Sequence, residues 1–184
     1  QKNIKLSWNY AYAVKDENQK TPTEKIILSK IKPTRVYSQV KVSPDGNYAI
    51  YTTNEMGQYK IWLYDFQKNK AKRILKSGNK IDRINDYSFP LLAWHPSGKL
   101  FSYIIERKEY FVMATYELET KEITERNIFG FEKILDYSYD TDGKKFVMSA
   151  FQKGQSDIFI FTAASNGYEQ ITKDIYDDLN PRFA

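Results

Sequence analysis

Apolar and polar residues in this chain fall into short, strand-length runs separated by polar turns, many of which carry glycine. From Val36 onwards the runs group in fours. The first group is Val36–Val42, Tyr48–Thr53, Tyr59–Phe66 and Ala71–Leu75, and the second is Phe89–Trp94, Leu100–Ile105, Tyr110–Glu117 and Glu122–Arg126. The third is Lys133–Tyr139, Lys145–Phe151, Asp157–Thr162 and Tyr168–Thr172. Stretches such as Phe146-Val147-Met148 and Ile158-Phe159-Ile160-Phe161 are apolar at consecutive positions. A sheet with one face in water would alternate, so these sheets are expected to be covered on both faces. Ahead of the groups, Ile4–Val14 and Glu24–Ile31 read as two more strands joined by the loop Lys15–Thr23.

The groups are copies of one unit. Val42-Ser43-Pro44-Asp45-Gly46, Trp94-His95-Pro96-Ser97-Gly98 and Tyr139-Asp140-Thr141-Asp142-Gly143 each end in glycine ahead of an apolar strand. Their glycines are 52 and 45 residues apart (98 − 46 and 143 − 98), bracketing the roughly 40–50 residues of a propeller blade. Fifteen residues past each glycine stand Ile61, Met113 and Ile158, and eighteen past stand Tyr64, Tyr116 and Phe161. The pattern predicts an all-β propeller segment of four-stranded antiparallel blades, with Gly46, Gly98 and Gly143 in equivalent turns. The blades are 36–88, 89–132 and 133–179, with a partial blade in 1–35 and the start of another in 180–184. Asn180-Pro181-Arg182-Phe183-Ala184 repeats the opening Phe89-Pro90-Leu91-Leu92-Ala93 and stops, so the chain is expected to be a fragment of a longer propeller.

Composition narrows the chemistry. The chain has 184 residues, 41% of them hydrophobic, enough for a real core. Its Tyr 15, Phe 11 and Trp 3 favour strands. No Cys is present, so thiolate metal sites and cysteine nucleophiles are excluded. No apolar run reaches the ~20 residues of a membrane span. A net charge of +5 is spread along the chain, and its densest basic stretch, Lys68-Asn69-Lys70-Ala71-Lys72-Arg73, sits at an expected hairpin turn. That is a solvated turn and not a nucleic-acid surface.

Candidate chemistry fares no better. His95 is the one imidazole, and it takes the turn position held by Ser43 and Asp140 in the other units. Three residue types at one repeat position point to a turn role and not to a Ser-His-Asp mechanism. The glycine turns lack any phosphate-loop spacing, and no cofactor is expected. Asp174, Asp177 and Asp178 put three carboxylates within five residues but lack the glycine and distal glutamate of a calcium loop. Glu117 and Glu119 lie on a strand and its turn with no convergent partner, so they are not a glycosidase dyad.

The turn Ser43-Pro44-Asp45-Gly46, followed by two aromatic strands, resembles the TolB-like propeller repeat, whose signature is Ser-Pro-Asp-Gly. The other two turns are degenerate copies. Gly57-Gln58-Tyr59-Lys60-Ile61-Trp62-Leu63-Tyr64-Asp65 and 174–183 are most similar to large TolB-related envelope proteins of Bacteroidetes. The resemblance implies a periplasmic or other cell-envelope location, protein partners, and a non-catalytic interaction scaffold. It also leaves two other readings: a propeller accessory to a peptidase domain elsewhere in a longer chain, or a glycan-binding propeller. Propellers serve many functions, so the fold does not choose among them.

Loops joining the second and third strands, and those leading to the next blade, leave on one rim. They are Asn54–Gln58, Lys76–Ser88, Glu106–Glu109, Asn127–Glu132, Gln152–Gln155 and Lys173–Leu179. Lys76–Ser88 holds the extra length of the first unit and mixes Lys76, Lys80 and Arg83 with Asp82, Asp86, Ile81, Ile84 and Tyr87. That mixture suits a protein partner, though the isoleucines would equally serve to tuck the loop down. Phe129, Phe131 and Tyr176, with Tyr87, are the expected exposed aromatics.

Overall fold

The computed structural model describes residues 35–77, 90–107, 110–162, 165 and 167–183. The chain divides into two compact units, Gln1–Pro33 and Thr34–Ala184, and the architecture below is that of the second. The expected strands Ile4–Val14 and Glu24–Ile31 lie outside the described residues, as do Lys80, Ile81, Arg83 and Tyr87.

Twelve strands form three four-stranded antiparallel sheets. The first holds β1 (Arg35–Val42), β2 (Tyr48–Glu55), β3 (Gln58–Asp65) and β4 (Lys70–Ser77). The second holds β5 (Leu91–Trp94), β6 (Leu100–Arg107), β7 (Tyr110–Glu117) and β8 (Ile123–Ile128). The third holds β9 (Lys133–Tyr139), β10 (Lys145–Gln152), β11 (Gln155–Thr162) and β12 (Tyr168–Gln170). Each sheet is a meander in which sequence neighbours pair. Among the described residues no helix is long and apolar enough to cross a membrane.

The repeat governs the register. Ile61 pairs with Thr52, Met113 with Ile104 and Ile158 with Ser149, so the residue fifteen past the glycine always faces the one six past it. Gly46, Gly98 and Gly143 stand at φ 72°, 67° and 72° in the β1–β2, β5–β6 and β9–β10 turns, a region that favours glycine. The N–H of each donates to the carbonyl three residues back, at Ser43, His95 and Asp140. In the first of these turns Asp45 accepts from the Ser43 hydroxyl at 2.5 Å and from the Asn47 N–H at 3.1 Å, which holds its carboxyl below the usual range.

Both faces of the middle sheet are buried. Phe101, Tyr103, Ala114 and Tyr116 face the first sheet and meet Ile50, Ile61 and Leu63. The alternate residues Ile104, Phe111 and Met113 face the third sheet and meet Phe146, Met148 and Phe159. The outer strands β4 and β8 are largely exposed and carry Lys70, Lys72, Arg73, Glu125 and Arg126, which blunts the sheet edges against further pairing.

Two expectations about strand ends need correction. β4 runs to Ser77, because Tyr59 and Lys60 offer pairing partners to Ser77 and Lys76; Lys76 is therefore a strand residue and not part of a loop. A bulge opposite Ile61 and Trp62 puts Leu75 across from Ile61. The expected loop Asn54–Gln58 shrinks to Met56-Gly57, since β2 and β3 stay paired out to Glu55 and Gln58. Met56 and Gly57 take φ 54° and 82°, and Lys153-Gly154 at the β10–β11 turn take 55° and 79°. Two consecutive left-handed residues make the tight turn whose twist matches the flanking strands.

Candidate binding rim

In each meander the β2–β3-type turns and the segments leaving the fourth strand emerge at one end, opposite the glycine turns. On the third sheet this rim is built from the β8–β9 connection and the segment after β12. The β8–β9 connection alternates in and out. Phe129 is 60% exposed and tilts against Tyr110 at 5.4 Å. Phe131 is buried, edge-on to Phe159 at 4.8 Å and against Tyr168 at 5.1 Å. Phe131 therefore is core and not an exposed rim aromatic: the second sheet's exit must cross over the third, and its ring fills the space between them. Gly130, at φ 87°, turns the chain between the two rings and accepts from Gln152 Nε2 at 2.9 Å. Gly154 N–H donates to Glu132 Oε2 at 3.2 Å, which clamps the connection to the β10–β11 turn.

The segment after β12 is held at both ends and projects in the middle. Ile158 N–H donates to the Thr172 hydroxyl at 2.9 Å. Asp178 N–H donates to the Ser156 carbonyl at 3.1 Å, and the Ser156 hydroxyl donates to the Asp178 carbonyl at 3.0 Å. Further on, Ser138 donates to the Pro181 carbonyl, and Arg182 pairs with Asp136 at 2.7 Å. Between these anchors Ile175 is 82% exposed, Tyr176 71% and Leu179 58%. Ile175 and Leu179 were not singled out from the sequence; the signal was present as two aliphatics inside an Asp-rich loop. Asp174 caps this loop by accepting the Tyr176 N–H at 2.8 Å. Among the described residues no group of three or more His, Asp or Glu is placed to hold a metal ion.

His95 sits in its turn, where its Nδ1 accepts from the Ser97 N–H at 3.2 Å and meets the Ser97 hydroxyl at 2.8 Å. Since the N–H can only donate, Nδ1 is the acceptor and the neutral ring carries its proton on Nε2. The ring packs edge-on to Tyr139 at 5.3 Å. These are contacts of a turn residue, and Ser97 is spent on them.

No protein-family model matches the chain, and no curated protein matches it. Solved structures do. TolB from Acinetobacter baumannii is similar with a TM-score of 0.59 at 17% identity, over 75% of this chain and 32% of TolB. A prolyl endopeptidase is similar with a TM-score of 0.56 at 13% identity, over 79% of this chain and 23% of the enzyme. The β-propeller domain of the Trilobed protease from Pyrococcus furiosus, which has an open velcro topology, gives 0.55 at 12% identity, over 80% and 46%. The three sheets are thus blades of a TolB-like β-propeller fold. The chain spans about a third of TolB and less of the endopeptidase.

Proposed function

We propose that this chain is a non-catalytic protein–protein interaction scaffold of the bacterial cell envelope, which captures a partner protein on its rim. The observation that carries the reading is the anchored projection of Ile175, Tyr176 and Leu179, with Phe129 exposed on the neighbouring connection. Aliphatic and aromatic side chains held out in water by a fixed frame lose little freedom on binding and suit an interface centre. The mixed-charge insertion with Lys80, Ile81, Arg83 and Tyr87 supplies a second contact, and Lys76 at the end of β4 flanks it. Likeness to TolB supports an envelope setting. Likeness to the propellers of a prolyl endopeptidase and of the Trilobed protease supports a second reading, in which the same rim faces a peptidase domain.

The test is photo-crosslinking from the exposed position 177 in envelope extracts, with identification of the trapped protein. Ile175→Asp with Tyr176→Ala should abolish capture while stability changes by no more than about 0.5 kcal/mol, as for exposed positions generally. Undiminished capture by the folded double variant would refute the rim assignment. A trapped peptidase would decide for the second reading.

A further inference from the structure

The seam between the second and third sheets does not close. Beside its packed rings lies a cavity of about 390 Å³, walled by His95, Thr115, Thr124 and Arg126 from one blade and Tyr139 and Phe146 from the next. The repeat says what ordinarily fills this space. Seventeen residues past the glycine the first blade has Leu63 where the second has Thr115 (63 − 46 and 115 − 98). Across from Ile61 the first blade has Leu75, while across from Met113, at the same repeat position, the second has Arg126. Leu63 and Leu75 both pack into the first seam, and so does Ile74, Arg126's counterpart by count. Two aliphatic positions of the repeat have become a hydroxyl and a guanidinium, and both line one cavity.

The charge in that cavity is fixed in place. Arg126 Nη1 donates to the carbonyls of Thr162 at 3.3 Å and Ser165 at 3.0 Å, and the guanidinium lies 4.9 Å over the Phe146 ring. Burial pushes its pKa down, so the cation is partly stripped of water. Of the neighbouring acids, Glu125 also borders the cavity, but strand alternation aims its side chain to the other face of β8, where its charge acts on Tyr103 in the first seam. Asp140 accepts the Lys145 N–H within its own turn. The Tyr139 hydroxyl donates to Ser102 at 2.9 Å. Met113 and Phe146 supply an apolar wall beside the guanidinium.

We propose that this inter-blade cavity binds a small carboxylic acid with an apolar body. The carboxylate meets Arg126, the hydroxyls of Thr115 and Thr124 complete its hydrogen bonds, and the body lies against Met113 and Phe146. A preorganised guanidinium in a partly dry site matches a carboxylate in charge and in planar geometry.

His95 is the single imidazole of the chain and lines the cavity, so its ring resonances report occupancy without ambiguity. The probes are 3-phenylpropionate, 3-phenylpropanol as its uncharged counterpart, and inorganic phosphate as an anion without a body. Phenylpropionate should shift the His95 signals saturably and bind about tenfold to a hundredfold tighter than the alcohol, the factor a charged hydrogen bond supplies. Arg126→Gln should reduce the acid to the affinity of the alcohol. Thr124→Trp, on an exposed strand position, should block the mouth without touching the core and abolish the shift, which keeps the test decisive if Arg126→Gln fails to fold. Equal binding of acid and alcohol would overturn the proposal. So would unchanged binding by Thr124→Trp, phosphate binding as tightly as the acid, or no His95 response to the acid up to its solubility limit.

Discussion

The two seams between the three blades are built on one repeat and solve packing differently. In the first, Ile50, Ile61, Leu63 and Val112 interleave with Phe101, Tyr103 and Tyr116, and Trp94 Nε1 donates to the Lys41 carbonyl at 3.0 Å to tie the sheets together. In the second, aromatic rings carry the packing: Phe146 stacks on Phe161 at 4.9 Å, and Tyr137 and Tyr139 both reach the Ser102 hydroxyl at 2.9 Å. The first seam sets aliphatic side chains of one sheet against aromatic rings of the next; the second is polar at its centre and hollow at its side. A shared backbone register therefore sets where side chains meet and leaves open whether they meet through methyl groups or through hydroxyls and charge.

The largest effect should come from exchanging the two solutions. Leu63→Thr imports the polar position into the first seam, where it removes buried methyl groups and buries a hydroxyl, and should cost about 2–4 kcal/mol in urea unfolding. The reverse change, Thr115→Leu with Arg126→Ile, should stabilise by about 0.5–2 kcal/mol by filling the hollow with the repeat's own aliphatic character. If both exchanges destabilise equally, the seams differ in shape and not in polarity.

Next in size is a pair of turn glycines. Gly46 and Gly143 share φ 72°, but a Cβ at Gly46 would meet open space, whereas one at Gly143 would lie 1.8 Å from His95 Nε2. Gly46→Ala should lose about 1–2 kcal/mol from the left-handed backbone alone. Gly143→Ala should lose more, and the excess should vanish in a His95→Ala background. A persisting excess would mean that the ring is not what occupies the space.

The smallest effect at neutral pH concerns buried phenols. Burial pushes Tyr103 in the first seam up to about 12 and Tyr137 in the second well above its ordinary value. A raised native pKa favours the protonated phenol, so its contribution is complete below about pH 10 and is lost as pH rises from there through about 12. Tyr103→Phe should flatten that alkaline loss with little change at pH 7. Tyr137→Phe should flatten it as well, but should cost about 1 kcal/mol at pH 7, because Ser102 loses a partner. Equal neutral-pH costs would remove this contrast between the seams.

The blades were legible because their determinants are local. A glycine held at positive φ and two strands in fixed count from it leave the same mark each time, as Ile61, Met113 and Ile158 demonstrate. Strand ends were less so: nothing in Lys76 distinguishes a strand from a loop until Lys60 stands opposite it. Phe129 and Phe131 are the same residue two positions apart, and only the third sheet, packed against one of them, separates them. Arg126 lay in register with Ile74 and Ile171 (126 − 98, 74 − 46 and 171 − 143). Its departure from that column was visible, but the cavity that gives the departure meaning exists only where two blades face each other.

The contact between successive turns bears on modularity. Gly98 lies beneath Pro44 and Asp45 of the blade before it, and Gly143 lies beneath His95 of the blade before that turn. At the turns, the second and third blades are thus each fitted to their predecessor by side chains lying over a bare glycine. Moving the third blade to follow the first would set Pro44 and Asp45 over Gly143 where the imidazole now lies. The blades share an outline yet are not exchangeable parts, and their order is written into the residues that overlap at the turns.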